Sequence, residues 1–222
     1  MQSVVFGASG AIGGALARKL KARGDTVWEF SRYGPAHVDI CDENMIAAAA
    51  QQAGDQLDLV IVATGFLHNK SHRPEKALRQ IEPGHLMQSF MINAMGPALV
   101  MKYFLPRLAR RRRSIFAVLS ARVGSIANNQ LGGWYSYRAS KAALNQLVKT
   151  ASVELARTNP SAVCLALHPG TVETPLSAPF HRPSLQARSP DEAARDLLAV
   201  LENAGPSESG TFLDYAGTPI PF

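Results

Sequence analysis

Cysteine is nearly absent: Cys41 and Cys164 are the only two in 222 residues. They stand far apart, with no C-x-x-C pair and no histidine–cysteine cluster, so neither a disulfide framework nor a metal site is expected. Long apolar runs are missing too, none approaching the roughly 18–20 residues that span a bilayer. The N-terminus carries no basic stretch followed by a cleavage site and runs straight into an apolar strand. A soluble, cytoplasmic protein is expected. Charged residues are few, at 18%, while hydrophobic residues reach 46% and mean hydropathy is -0.03. That balance excludes disorder. At roughly 150 residues per domain, the length predicts one domain over residues 1–222, with a core that needs no staples.

Charge is unbalanced, with a net +6 and a pI near 9.6. The densest basic run is Arg110 to Arg113, preceded by Arg107. It reads as the solvated C-terminal end of a helix, where cations complement the dipole. A nucleic-acid groove would interleave aromatic side chains with the cations, and none stand there. No nucleic-acid or membrane partner is expected.

Apolar, β-branched runs alternate with helical patterns along the chain. Val4–Phe6, Thr26–Phe30, His37–Ile40, Leu57–Ala63, Ile115–Leu119, Ala162–Leu167 and Thr211–Asp214 read as strands. Ala11–Arg23, Glu43–Ala53, Gly84–Arg110 (bent at Pro97), Tyr137–Arg157 and Pro190–Asn203 read as helices, the last with Ser189 as N-cap. Repeated β-α-β with strands apolar on both faces implies an α/β fold, a doubly wound parallel sheet with helices on both faces. Ligands of such sheets bind at the carboxyl ends of the strands. The irregular stretches Phe66–Pro83 and Thr171–Ser189 follow strands and are candidate lids. His68, His72, His85 and His181 show no ligand spacing and read as loop residues. Met87, Met91 and Met95 recur on one helix and read as core or subunit interface.

Between the first strand and the first helix lies Gly7-Ala8-Ser9-Gly10-Ala11-Ile12-Gly13. Glycines there permit a tight turn and close approach of backbone to a pyrophosphate, and the helix N-terminus offers free N–H groups. In that setting the motif points to a dinucleotide. An acid after the second strand would hold the 2′-hydroxyl of NAD, and an arginine the 2′-phosphate of NADP. Here Ser31 and Arg32 stand there, which favours NADP, with NAD possible. Glu29 lies within the strand and reads as facing another element.

Tyr137-Arg138-Ala139-Ser140-Lys141 opens a helix. Residues four apart share a face, so Tyr137 and Lys141 are neighbours. A nearby ammonium lowers the pKa of a phenol. Such a pair can protonate a carbonyl oxygen or deprotonate an alcohol.

Together with the glycine loop, this pattern resembles the short-chain dehydrogenase/reductase family over essentially the whole chain, and within it a small bacterial branch that includes a C-factor cell-signalling protein. The branch cues are Ser120-Ala121-Arg122-Val123-Gly124-Ser125-Ile126, Gly132-Gly133-Trp134-Tyr135-Ser136-Tyr137 and Asp214-Tyr215-Ala216-Gly217. The resemblance implies a single Rossmann-fold domain carrying both cofactor and substrate sites. It implies Tyr137 as acid/base, Lys141 as the residue that tunes it and holds the nicotinamide ribose, and Asn93 as the residue positioning a water in a proton relay. Asp39, with Ile40, matches the family's adenine contact. Ala63-Thr64-Gly65 stands where the family has Asn-Ala-Gly beside the cofactor. His168-Pro169-Gly170-Thr171-Val172-Glu173-Thr174 resembles the segment against the nicotinamide, with Val172 and Thr174 donating to it.

One departure concerns the catalytic serine, which in the family stands three residues before a glycine. Counting back from Gly124 gives Ala121, with Ser120 one earlier. Ser120 is the first candidate, Ser125 the second, and no serine at all the third. Trp134 and Tyr135 either line a pocket for an apolar or aromatic ketone or pack on the core. The expected function is hydride transfer between NADP and a small carbonyl or alcohol substrate by a homodimer or homotetramer. The alternative is a catalytically weak nucleotide-binding signalling or sensor protein on the same fold.

Overall fold

A computed structural model describes residues 1–180 and 187–222. The strands are β1 (Gln2–Phe6), β2 (Thr26–Phe30), β3 (Leu59–Val62), β4 (Ser114–Leu119), β5 (Ala162–His168) and β6 (Phe212–Asp214). They form one parallel sheet in the order β2-β1-β3-β4-β5-β6. The order reverses beside β1, and that is where an open α/β sheet leaves a crevice at its carboxyl edge. His37–Ile40, expected as a strand, is none. A single bridge, Ser31 to His37, is all that forms, because the chain turns back at once on Ser31 through the Val38 N–H.

Strand alternation builds two cores. Val4, Phe6, Val60, Val62, Phe116 and Val118 face α2 (Glu43–Ala53), α4 (Gly96–Phe104) and α5 (Tyr135–Thr158). Val5, Leu59, Ile61, Ala117 and Leu165 face α1 (Ala11–Ala22) and α6 (Pro190–Asn203). α2 begins where Asp42 accepts the N–H groups of Asn44 and Met45, and α6 where Ser189 and Glu192 cap each other.

The helix expected over Gly84–Arg110 is three pieces and ends sooner. α3 (Pro83–Phe90) passes through a π-helical turn, Met91–Met95, into α4, and a 3₁₀ turn, Leu105–Arg107, follows. The basic run therefore lies past the helix. Arg112 pairs with Asp58 at 2.5 Å. Arg113 donates to the carbonyls of Glu202 and Ala204 at 2.7 Å each, which satisfies the free end of α6. Met87 and Met95 are exposed rather than core. Among the described residues no helix is long and apolar enough to cross a membrane.

Candidate active site

The glycine loop closes on β2: the N–H groups of Gly7 and Ala8 donate to the Phe30 carbonyl at 2.8 and 3.3 Å. Gly7 has φ +80, and a Cβ on Gly13 would stand 2.2 Å from the Gly7 oxygen. Only glycine lets the loop and the first turn of α1 come this close. Beyond the loop lies a cleft of about 290 Å³. Its walls include Gly7, Ser9 and Gly10 on one side, Ser31, Arg32, Asp39 and Ile40 on another, and Ala63, Thr64 and Gly65 at the end of β3. Ala11, Ile12 and Gly13 form the helix turn behind it.

At the β2 side of the cleft, Arg32 is exposed and its guanidinium lies 5.7 Å from the centre of the Tyr33 ring. Among the described residues it has no ion pair. The Ser31 hydroxyl turns back to donate to the Tyr33 carbonyl at 2.5 Å, and Asp39 accepts from the Cys41 N–H at 2.9 Å. Glu29 pairs with Lys21 of α1, away from the cleft.

The end of β4 and the loop after β3 meet the first turns of α5. Lys141, 2% exposed, donates from Nζ to the Leu119 carbonyl at the end of β4, at 2.8 Å. Its Nζ lies 6.0 Å from the centre of the Tyr137 ring. Asn93 is fully buried in the π-helical turn; its Oδ1 accepts from the Phe66 N–H at 2.7 Å, and its Nδ2 donates to the Phe66 carbonyl and to Ser140 Oγ at 2.8 and 3.0 Å. The loop after β3, the helix bearing Asn93 and the first turns of α5 are thus tied together at the carboxyl edge of the sheet. Four residues past Asn93 stands Pro97, which has no N–H, so the helical ladder offers the Asn93 carbonyl no donor at that position.

Burial sets the acidities. It pushes the Tyr137 phenol up to about 12 and the Lys141 ammonium down to about 7. The direction for Tyr137 is opposite to the one expected from a neighbouring ammonium. A lysine that has lost its proton by pH 7 or so offers little positive charge where a phenol titrates.

The serines differ from expectation as well. Ser120 is buried and donates to Asn145 Oδ1 at 2.7 Å, while Asn145 Nδ2 donates to the Gly124 carbonyl at 3.4 Å and so fixes that amide. A hydroxyl has one proton to give, and Ser120 gives it to α5 rather than to the crevice. Ser125 gives its proton to the Pro221 carbonyl. Ala121, half-buried, points the other way from Ser120 by strand alternation.

Beyond β5, Pro169 is buried and Gly170 has φ +81, packed against Tyr215. Val172 bridges to Arg188. The Thr174 N–H, expected to donate to a ligand, donates to Ser177 Oγ at 3.2 Å. His181 and part of the Thr171–Ser189 lid fall outside the described residues.

A family model described as enoyl-(acyl carrier protein) reductase matches residues 19–202. The chain belongs to the short-chain dehydrogenase/reductase family. It is 37% identical to the C-signal of Myxococcus xanthus over 147 residues, 66% of this chain and 84% of that one. An NADPH-bound carbonyl reductase from chicken fatty liver superposes with a TM-score of 0.85 at 25% identity, over 99% of this chain and 98% of that one. A carbonyl reductase from Pseudomonas aeruginosa PAO1 superposes with 0.83 at 26% identity, over 100% of both.

A short-chain dehydrogenase/reductase is an NAD(P)-dependent oxidoreductase, and the residues present fit that cofactor. The loop folds tightly onto the first turn of α1, where a Cβ at position 13 would meet the Gly7 oxygen, and that leaves the backbone of Gly7, Ser9 and Gly10 lining the cleft. Thr64 Oγ1, in the cleft wall, is buried with no partner among the described residues. No cluster of metal-ligating side chains occurs among those residues.

Several residues at the site escaped the sequence. Asn145, one turn past Lys141, decides where Ser120 points, and only spacing from Lys141 hinted at it. Trp134 stands edge-on to Tyr137 and Phe180, with ring centres 6.2 and 5.2 Å apart, and His68 meets Phe180 at 5.3 Å. Trp134 was among the residues read as lining a pocket or packing on the core, but its partners Phe180 and His68 come from distant segments that no local pattern joined to it. His85, read as a loop residue, is buried on α3.

Proposed function

We propose that the chain, as one domain over residues 1–222, is an NADP-preferring oxidoreductase acting on an apolar, aryl-bearing carbonyl or alcohol, with Tyr137 as acid/base. When bound, the nicotinamide supplies or accepts the hydride. Gly7, Ser9, Gly10, Ala11, Ile12 and Gly13 would hold the pyrophosphate, and Ser31 and Arg32 the 2′-phosphate. Asp39 and Ile40 would meet the adenine. Ala63, Thr64, Gly65, Pro169, Gly170, Val172 and Thr174 would flank the remainder.

The observation that carries the reading is Lys141. A lysine 2% exposed, among the described residues without a carboxylate, is costly unless its proton is used. It lies beside the half-buried Tyr137 phenol at the carboxyl edge of the sheet. Protonated at neutral pH, Tyr137 is in the form that donates to a carbonyl oxygen, which supports reduction as the favoured direction. Lys141, titrating near 7, can resupply that proton, and the Asn93 carbonyl can hold a water on the way. With Ser120 turned to Asn145, Tyr137 is the side chain left to hold the substrate oxygen. The rings of Trp134, Phe180 and His68 support an apolar, aryl-bearing substrate.

Relatives and neighbours named for an activity are oxidoreductases, which does not favour the sensor alternative. The free thiols Cys41 and Cys164 suit the cytoplasm. A groove between α4 and α5, with Leu147 exposed at its edge, suits a second copy in a homodimer or homotetramer. The test is NADPH oxidation against paired aryl and small aliphatic ketones and aldehydes. Turnover with higher kcat/KM for the aryl members is expected; tight NADPH binding with no turnover on any of them would overturn the reading.

A further inference from the structure

Helix α5 carries Tyr137, yet its own N-terminus supplies no cap. Trp134, at the N-cap position, is left-handed (φ 51, ψ 43), caps nothing with its side chain, and the first turn contains no acid. An indole in that backbone region is held there by its surroundings rather than by its own preference.

The holder comes from a distant segment, 61 positions before Ser136. Glu75, between β3 and α3, is 3% exposed. Its Oε2 accepts from the Ser136 N–H at 3.2 Å, and its Oε1 accepts from the Ser136 hydroxyl. Its backbone carbonyl accepts from the Trp134 N–H at 2.5 Å. One residue therefore takes up both free N–H groups that bracket the start of the helix. A carboxyl group there also lies at the favourable end of the helix dipole. Among the described residues Glu75 has no salt-bridge partner. His85 of α3 is buried as well and stacks on His72, with ring centres 5.1 Å apart.

The geometry assigns Glu75 as the positioning residue of the catalytic helix: its carboxyl group caps α5 through Ser136 and thereby sets where the Tyr137 phenol and the Trp134 indole stand. This rests on the reading of Tyr137 as acid/base. The cleft beside the glycine loop is walled by other elements, the loop itself, the end of β2 and the end of β3, and α5 reaches the cofactor only through Lys141, a full turn past Tyr137. Removing the cap should therefore harm turnover far more than cofactor affinity. A displacement of about 1 Å at a reacting group can cost on the order of 10² in rate.

The experiment compares Glu75→Ala, Glu75→Gln and Ser136→Ala in a Trp28→Phe background, so that Trp134 is the sole indole. Glu75→Ala is expected to lower kcat about 10- to 100-fold while the Kd for NADPH stays within about twofold. Glu75→Gln keeps an acceptor for the Ser136 N–H and an amide that the hydroxyl can accept from, so most of kcat should return. Ser136→Ala, which leaves the backbone bond, should fall between, and it serves if Glu75→Ala does not fold. Acrylamide quenching of Trp134 should rise in Glu75→Ala and remain near the parent value in Glu75→Gln. The quenching readout needs no turnover, so it stands even if the proposed reaction fails. Unchanged quenching and kcat in both the Ala and Ser136 variants would overturn the assignment, as would a loss of kcat matched by an equal loss of NADPH affinity.

Discussion

Ser120 and Lys141 show how much one hydrogen bond decides. The Ser120 proton goes to Asn145, so Ser120→Ala is expected to leave kcat/KM within about threefold, far from the 10²–10³ loss of an oxyanion donor. Ala121→Ser, on the opposite side of the strand end, is expected to raise it. Steady-state kinetics on both variants check this, and a large loss in Ser120→Ala would show that its hydroxyl reaches the substrate. Burial holds Lys141 near 7 against 10.5 in its free form. Between those values the unfolded chain binds a proton that the folded one does not. The stability contributed by Lys141 is then present above the unfolded value and lost as pH falls through the folded one. Relative to Lys141→Met, the parent should gain stability from about pH 7 to about pH 9, by at most about 1.4 kcal/mol per pH unit. Urea melts at the two pH values measure it, and parallel curves would contradict the buried, unpaired lysine.

At the scale of elements, some boundaries could be read and others could not. α2 and α6 have the bounds read from the sequence because Gly54 stops the one and Ser189 caps the other locally, and the structure adds Asp42 as the cap of α2. The strand expected at His37–Ile40 fails because an edge needs a partner, and only Ser31 pairs there. The π-helical turn escaped because Asn93 looks merely ill-suited to a helix; its reason is the Phe66 backbone, 27 residues away. Asn93→Ala would leave the Phe66 N–H and C=O buried without partners, at about 1–3 kcal/mol each. A lower denaturation midpoint with an unchanged m-value is expected; an unchanged midpoint would show that the loop after β3 is held by other contacts. Tyr137 and Lys141 were legible as a local i, i+4 pair, whereas the Glu75 cap and the Trp134–Phe180 wall join distant segments and could be seen only in the fold.

For the whole molecule, the sheet order makes one crevice, and the excess of positive charge suits an anionic cofactor within it. Arg32, exposed on the cleft wall past β2, is expected to choose between the two dinucleotides. Arg32→Ala should weaken NADPH by about tenfold or more, since a hydrogen bond to a charged group contributes about 1.5–3 kcal/mol, and leave NADH nearly unchanged. Fluorescence titration with each cofactor separates them; equal loss for both would remove Arg32 from that role. The central claim is that the phenol of Tyr137 moves the proton. Its most direct test is single-turnover NADPH oxidation by Tyr137→Phe, with NADPH affinity measured on the same sample. A fall in rate of about 10²–10⁴ with affinity unchanged is the result predicted. A rate equal to the parent's would contradict the account.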